Sequence, residues 1–173
     1  SGKSMTAFSI SRLLPDGINV SGKVFLKGEE LTKLSRSDLE NLRGSRISYI
    51  FQEPMSALNP SMTVGRQILD VVVRHTEYRG VQARERVLSL LREMRIPAPE
   101  SVYNQRPFEL SGGMRQRILI AMAFSCDPEL IIADEPTTAL DVTVQAKILN
   151  LLQWRAKQSG VSILLITHDL AVV

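Results

Sequence analysis

Hydrophobic and polar residues alternate along the chain in two different ways, and each predicts one kind of secondary structure. Apolar residues recur every three or four positions in the stretches 1–14, 64–75, 82–95, 112–125 and 142–158. That spacing is typical of helices with one buried face. Short runs rich in β-branched, aromatic or apolar residues occupy 22–27, 47–51, 130–133 and 162–166. These runs predict strands, and the last two, which carry no charge, predict central strands of a parallel sheet.

The order of these elements predicts an α/β domain that contains a helical insertion. Residues 130–166 form a strand–helix–strand unit, in which Gly160 ends the helix. The three helices before this unit follow one another without an intervening strand. The expected division of the single domain is a core of 1–63 and 127–173 and a helical subdomain of about 64–126.

Composition narrows the class of protein that the pattern describes. Of 173 residues, 44% are hydrophobic, which is enough for a buried core, and the net charge is +3. Basic and acidic residues are interleaved over 33–46, so this stretch predicts a solvated face and no nucleic-acid partner. Cys126 is the one cysteine, which excludes an internal disulfide. The longest nearly uncharged run, 118–126, is far shorter than the ~20 residues that span a bilayer.

The first four residues carry the first chemical signal. Ser1, Gly2, Lys3 and Ser4 match the end of the phosphate-binding pattern G-x-x-x-x-G-K-[ST], without its first glycine or the strand before it. A helix that begins at residue 2 or 3 would direct its N-terminal partial positive charge at the phosphates. Lys3 would reach the β- and γ-phosphates, and Ser4 would ligate Mg²⁺. The alternative is a chance Gly-Lys-Ser sequence at a helix start.

A second signal follows the apolar strand at 130–133. Asp134 and Glu135 come at its carboxyl end, which is where ligands bind in open α/β sheets. Successive side chains of an extended chain point in different directions, so the two carboxylates can take different tasks. Asp134 suits a magnesium shell, and Glu135 can polarise an attacking water. The alternative is a solvated pair of acids in the loop after a core strand.

Four further segments, in this order along the chain, resemble the ATP-binding-cassette ATPases. They are 51–60 (FQEPMSALNP), 110–117 (LSGGMRQR), 130–141 (LIIADEPTTALD) and 166–170 (ITHDL). The resemblance covers the whole chain. It implies a P-loop NTPase (RecA-like) α/β core with a parallel sheet, plus a helical subdomain inserted between the Gln52 loop and the signature motif LSGGM. It also implies ATP and Mg²⁺ as cofactors.

The resemblance further implies that two such domains pair head to tail and share each ATP. Gly2, Lys3 and Ser4 of one domain would face Ser111, Gly112 and Gly113 of the other. Glycines at a helix start expose backbone N–H groups to a phosphate, although Ser111 is also an ordinary helix cap. Met114 replaces the glutamine that is common after the second glycine. Asp141 resembles the loop aspartate that couples the two sites.

Gln52 and His168 complete the set of residues that the resemblance assigns to the site. Gln52 resembles the family's lid glutamine, which touches Mg²⁺ and the attacking water while its loop faces the membrane subunits. His168 resembles the switch histidine that contacts the γ-phosphate. Chance alternatives are a glutamine after a strand and a structural histidine. Catalysis is therefore expected from Glu135, His168 and Gln52, and metal binding from Ser4, Gln52 and Asp134.

Residues 51–60, together with 133–149 (ADEPTTALDVTVQAKIL), resemble the importers of peptides, nickel or glutathione. The expected function is ATP hydrolysis that drives such import, at the cytoplasmic face of the inner membrane. The expected partners are permease subunits, a second ATPase subunit in a homo- or heterodimer, and indirectly a solute-binding protein. One alternative is a soluble member of the superfamily that acts on DNA or ribosomes. Another is an inert fragment, because most of the phosphate loop is missing.

Overall fold

The computed structural model describes residues 2–14, 17–18, 21–52, 57–138 and 140–168. Its helices are α1 (Lys3–Ser11), α2 (Arg36–Leu42), α3 (Val64–His75), α4 (Gly80–Glu93), α5 (Pro99–Tyr103), α6 (Gly112–Ala123) and α7 (Val142–Ser159). Its strands are β1 (Phe25–Leu26), β2 (Glu29–Glu30), β3 (Ile47–Ile50), β4 (Leu130–Asp134) and β5 (Ser162–Ile166). Single 3-10 turns occupy Leu31–Lys33 and Pro107–Glu109. Within these residues no helix is long and apolar enough to cross a membrane.

The main sheet is parallel and has the strand order β3, β4, β5. The middle strand β4 is central, as predicted. The prediction that β5 is also central is wrong for the described sheet, because β5 lies at its edge. No described strand pairs with the outer side of β5, so Ser162 is exposed and residues 163–165 are only half-buried.

Helices cover both faces of this sheet. Alternate residues of β4 point to opposite faces, and each face is buried against helices. Ile131 and Ala133 belong to a large apolar cluster that continues into α3, α4, α6 and α7. Ile132 belongs to a second cluster on the other face, which includes Ala7 of α1 and Leu42 of α2. The strand is therefore buried on both sides, which explains its uninterrupted apolar sequence.

Most helix predictions hold to within two residues, and the largest error has a tertiary cause. The helix expected to reach residue 14 ends at Ser11, and Arg12 adopts a left-handed conformation with φ of 50°. Arg43 donates from Nε to the Ser11 carbonyl oxygen at 3.0 Å and from Nη2 to the Arg12 carbonyl oxygen. These bonds satisfy carbonyls at the helix end. The predicted stop signals Pro15 and Asp16 lie outside the described residues.

The segment between α1 and β3 departs most from expectation. The strand predicted over 22–27 shortens to β1, which pairs antiparallel with β2 through a turn in which Gly28 has φ of 86°. The charged stretch then contains α2, which the sequence did not predict as a helix. Ser35 caps it by accepting from the Asp38 N–H at 3.1 Å. Its charged side chains are exposed as expected, whereas Leu39 and Leu42 are buried.

Candidate functional site at the carboxyl edge of the sheet

Glu135 follows β4 and is held in an unusual backbone conformation. Its φ is 47°, in the left-handed region that non-glycine residues seldom adopt. Its N–H donates to the Ile166 carbonyl oxygen at 2.9 Å, so the end of β5 fixes this geometry. Strain of this kind costs on the order of 1 kcal/mol and persists where the surrounding structure enforces it. The enforced turn places the Glu135 carboxylate beside Gln52, Thr138 and His168.

Three side chains contact the Glu135 carboxylate. Gln52 donates from Nε2 to Oε2 at 3.1 Å, and Thr138 donates from Oγ1 to the same oxygen at 3.0 Å. His168 Nδ1 lies 3.0 Å from Oε1. The hydrogen bond with His168 lowers the pKa of Glu135, burial opposes this shift, and the Thr138 bond adds to it. The carboxylate is therefore ionised at neutral pH and oriented from both oxygens.

Asp134 is the neighbouring carboxylate and lies in a different environment. The residue is only 5% exposed, and Tyr49 donates its phenolic proton to Oδ2 at 3.0 Å. Burial first, and then the bond to Asp134, raise the pKa of Tyr49, so the phenol stays protonated. No described residue bonds to the other oxygen, Oδ1. A buried carboxylate oxygen without a partner is costly, and a bound cation would satisfy it.

A magnesium ion fits this donor set. Mg²⁺ prefers oxygen ligands and keeps several waters or phosphate oxygens of its own, so it needs few protein ligands. The described residues include no group of three or more His, Cys, Asp or Glu side chains that could enclose a metal. An ion that shares its shell with a phosphate is therefore more compatible with the free Asp134 oxygen than a closed structural metal site.

Lys3 approaches this edge from the start of α1. Its Nζ donates to the Thr167 carbonyl oxygen at 2.9 Å, immediately before His168 in the chain. Gly2 precedes the helix as its cap, and Ser4 is half-buried in the first turn. An added Cβ at Gly2 would meet no heavy atom within 4 Å, so packing within the chain does not require glycine there.

Ser111, Gly112 and Gly113 lie at the start of α6, in a second location. Ser111 Oγ accepts from the Met114 N–H at 3.4 Å, so it is an N-cap as the alternative interpretation proposed. A Cβ added to Gly113 would lie 3.1 Å from Val144 Cγ1. Asp141 caps the neighbouring helix α7 by accepting from the Val144 N–H at 3.0 Å. These residues thus form one group around the paired starts of α6 and α7.

The structure therefore divides the expected site residues into two groups. Lys3, Gln52, Asp134, Glu135 and His168 meet at the carboxyl edge. In the described part of the chain, the side-chain hydrogen bonds and ion pairs of these five residues do not reach Ser111, Gly112, Gly113 or Asp141. Two surface cavities, of about 270 and 400 Å³, are not lined by any of these five residues, although Tyr49 lines the first.

Sequence reasoning missed two residues of this site. Thr138 follows Glu135 by three positions, and its hydroxyl could have been suspected from that spacing alone. Tyr49 gave no such signal, because its contact depends on strand register. Tyr49 pairs with Ile132, and Asp134 lies two residues further along β4 on the same face.

The fold and the edge site together define a P-loop NTPase. A solved ATP-binding cassette dimer, in a post-hydrolysis state bound to ADP and Pi, matches with a TM-score of 0.82 at 29% identity. The match covers 99% of this chain and 72% of that one. A second dimeric ABC transporter cassette matches with a TM-score of 0.80 at 30% identity, over 99% of this chain and 72% of that one.

The sequence comparisons identify the family. The profile described as "ABC transporter" matches residues 1–138, so the chain belongs to the ABC transporter family. It is 52% identical, over its whole length, to the probable D,D-dipeptide transport ATP-binding protein DdpD of Escherichia coli K12. It is 49% identical to the oligopeptide transport ATP-binding protein OppD of Bacillus subtilis 168, again over 100% of its length. The chain covers 53% and 49% of these relatives, and so spans about half their length.

Proposed function

We propose that this chain is the ATP-binding and ATP-hydrolysing part of a transport ATPase. The observation that carries the proposal is the convergence on Glu135 of Gln52 and His168, which are separated from it by 83 and 33 positions along the chain. Lys3 and Asp134 lie at the same edge. A triphosphate at this edge would meet a cation, a metal-binding carboxylate and a water-orienting carboxylate together.

The phosphate and the metal would be held by residues of α1, the loop after β3 and the end of β4. Gly2 and the first N–H groups of α1 would cradle the phosphates, and Lys3 would reach the β- and γ-phosphates. Ser4, Gln52 and the free oxygen of Asp134 would hold Mg²⁺. The bound ion would supply neutralisation of the charge that develops on the phosphoryl oxygens.

Hydrolysis requires that a water be placed in line with the γ-phosphate. The ionised Glu135 carboxylate accepts hydrogen bonds at both oxygens and would orient that water. Because its pKa is lowered, chiefly by the hydrogen bond with His168, the carboxylate is ionised and able to accept a proton from that water. His168, whose ring touches Glu135, would contact the γ-phosphate, and Gln52 would link the metal to the water.

The second group of residues would act on the nucleotide of a second ATPase subunit. Ser111 and the N–H groups of Gly112 and Gly113 begin a 12-residue helix, and such an end attracts phosphate. Asp141 at the adjoining start of α7 would couple the two sites. Support comes from the two similar solved cassettes, both described as dimeric.

The transported solute is proposed to be a peptide or a related compound of the nickel or glutathione class. The relatives named for dipeptide and oligopeptide transport support this proposal. The ATPase would work at the cytoplasmic face of the inner membrane, bound to permease subunits that receive solute from a binding protein. Closure of the ATPase dimer on ATP and its reopening after hydrolysis would move the permease.

Substitution of Glu135 by glutamine tests the proposal in the full-length protein. Glu135→Gln should lower ATP turnover about 10²- to 10⁴-fold, because the side chain keeps its size and loses its charge. ATP binding should persist, and the ATP-bound dimer should accumulate. Turnover is measured by phosphate release and the dimer by size-exclusion chromatography.

A matched control separates catalysis from folding. Glu129→Gln makes the same change at the opposite end of β4, away from the carboxyl edge, and should leave turnover within about twofold of wild type. Normal turnover in Glu135→Gln would contradict the role of Glu135. Absence of ATP binding by the wild-type protein would contradict the proposed function as a whole.

A further inference from the structure

Tyr49 is a residue of the carboxyl edge to which the proposed function gives no role. It lies in β3, and its hydroxyl donates to Asp134 Oδ2 at 3.0 Å. It is the described partner of that oxygen, while Oδ1 of the same carboxylate has none in the described part of the chain. The two oxygens of Asp134 therefore differ, and the phenol of Tyr49 causes the difference.

The ring of Tyr49 is itself held in place by two other aromatic rings. Phe8 of α1 stacks on it with a centroid distance of 5.5 Å and an interplanar angle of 27°. Phe51, which precedes Gln52, packs on it at 4.5 Å and 32°. Such contacts fix a ring more firmly than burial alone. The hydroxyl therefore reaches Asp134 from a position determined by α1 and by the loop that carries Gln52.

We propose that Tyr49 is a positioning residue for metal binding: it holds Asp134 through Oδ2 and so directs Oδ1 at the Mg²⁺ of the nucleotide. This inference rests on the proposed function. A hydrogen bond to an ionised acceptor is about twice as strong as one between neutral groups, and the site around Asp134 is nearly dry. Without the hydroxyl, both oxygens of a buried carboxylate would lack a described partner, and its side chain would be free to rotate.

Two opposing effects of the hydroxyl must be weighed. A donated hydrogen bond withdraws charge from the carboxylate, which by itself weakens its attraction for a cation. Holding the Asp134 carboxylate in place before the metal binds strengthens metal binding. Loss of such an outer contact typically weakens metal affinity by about 10- to 100-fold, so positioning is the larger effect. Because phosphate oxygens share the metal, we expect a change of about tenfold, at the low end of that range.

Tyr49→Phe removes the hydroxyl and keeps the ring that packs against Phe8 and Phe51. In the full-length protein, Mg²⁺ is titrated at fixed concentration of a fluorescent ATP analogue, and nucleotide binding is recorded without hydrolysis. The concentration of Mg²⁺ at half-saturation should rise about tenfold, whereas binding of the analogue without metal should stay the same. Tyr103→Phe is the matched control, since it removes the hydroxyl of a half-buried tyrosine in α5, and it should leave the titration unchanged.

A double-mutant cycle shows whether Tyr49 acts through Asp134. If it does, Tyr49→Phe should have no further effect on half-saturation in a protein that already carries Asp134→Asn. Equal effects in both backgrounds would overturn the proposal. Thermal unfolding of each variant is measured without nucleotide. A Tyr49→Phe protein that melts earlier but keeps the wild-type Mg²⁺ titration would show that the bond is structural only, which also overturns the proposal.

The wild-type titration separates this inference from the proposed function. If wild-type protein binds nucleotide independently of Mg²⁺, this result would contradict the proposed metal site and also the role of Tyr49. Metal-dependent binding that is identical in wild type and Tyr49→Phe would leave the proposed function standing and contradict the inference alone.

Discussion

The amino and carboxyl edges of the parallel sheet, where its strands begin and end, differ in how their charged side chains are paired. At the amino edge, Arg46 before β3 donates to Glu129 before β4 from Nε at 2.7 Å and from Nη2 at 3.2 Å, and also donates to Glu29 of β2. Each charge there has a partner of opposite sign. At the carboxyl edge, Asp134 and Glu135 lie side by side. Of these two carboxylates, only Glu135 contacts a basic side chain in the described part of the chain, that of His168, and Lys3 donates to a backbone carbonyl.

The difference indicates which edge serves the fold and which is left open for a ligand. Hydrogen bonds with Arg46 lower the pKa of Glu129, and the amino edge is complete without any further molecule. The carboxyl edge retains an unpartnered buried oxygen on Asp134, whereas left-handed backbone occurs at both edges, at Glu135 and at Lys27 beside Glu129. Unsatisfied buried groups cluster at functional sites, because a ligand satisfies what the chain does not.

The largest effect on the free energy of unfolding is expected in β4, the strand that runs from the amino edge to the carboxyl edge. Ile132 lies midway along β4, is 0% exposed and belongs to the cluster that includes Ala7 of α1. Ile132→Ala should lower the free energy of unfolding by about 3 kcal/mol, from lost burial and the cavity left behind. The measurement is urea unfolding followed by circular dichroism.

The same variant tests whether the edges are independent. If the comparison holds, Ile132→Ala protein that remains folded should keep the wild-type Mg²⁺ dependence of nucleotide binding. Ile132→Val, which should cost about 1 kcal/mol, is the milder companion. A large change in metal dependence in both variants would mean that core packing, and not the local contacts of Asp134, sets the geometry of the carboxyl edge.

A smaller effect is expected at the amino edge, and it should depend on pH. Glu129→Gln should lower the free energy of unfolding by about 1 kcal/mol at pH 7, the upper end for a partly exposed ion pair. Because the folded-state pKa of Glu129 is lowered, its stabilisation is complete above the ordinary value of 4.5 and disappears as the pH falls through the folded-state value. The difference in unfolding free energy between the two proteins should therefore shrink progressively as the pH falls below 4.5.

Urea unfolding at a series of pH values measures that difference. Arg46→Gln supplies a second test of the same ion pair. Its difference from wild type in unfolding free energy should shrink over the same pH range. A difference that persists unchanged at pH 3 would contradict the assignment to charge and favour loss of packing as its cause.

The sequence predicted the elements that depend on local periodicity and the residues that belong to motifs. The helices α3 and α7 and the strands β3, β4 and β5 were recognisable because a buried face leaves a regular spacing of apolar residues. Asp134 and Glu135 were recognisable because an apolar strand that ends in two acids is unusual. Their neighbours Gln52 and His168 were found only by resemblance, since no local property marks them.

What escaped prediction depends on contacts between distant parts of the chain. At the end of α1, the Ser11 carbonyl oxygen accepts a hydrogen bond from Arg43, which lies 32 positions away in the chain. The bond between Tyr49 and Asp134 joins residues separated by 85 positions and requires the strand register. The left-handed turn at Glu135 depends on the end of β5. Periodicity and local motifs contain no information on such pairings.

The smallest effect on the free energy of unfolding is expected from relief of backbone strain at the carboxyl edge. This change should raise the free energy, whereas the other substitutions lower it. Glu135→Gly places at φ of 47° the one residue type that adopts this conformation without strain. Relief should gain roughly 1 kcal/mol, and the greater freedom of glycine in the unfolded chain should remove about half of it. Relative to Glu135→Gln, which has also lost the charge of residue 135, an increase of about 0.5 kcal/mol in the free energy of unfolding is expected, together with loss of ATP turnover.

Glu135→Gln is the matched control, because it removes the charge but keeps the strained backbone. If Glu135→Gly is more stable than Glu135→Gln in urea unfolding, the backbone strain is real and is maintained for the position of the side chain. If the glycine variant is the less stable of the two, the contacts of residue 135 with Gln52, Thr138 and His168 outweigh the strain. In that case the carboxyl edge, like the amino edge, would contribute to the stability of the fold through its own side-chain contacts.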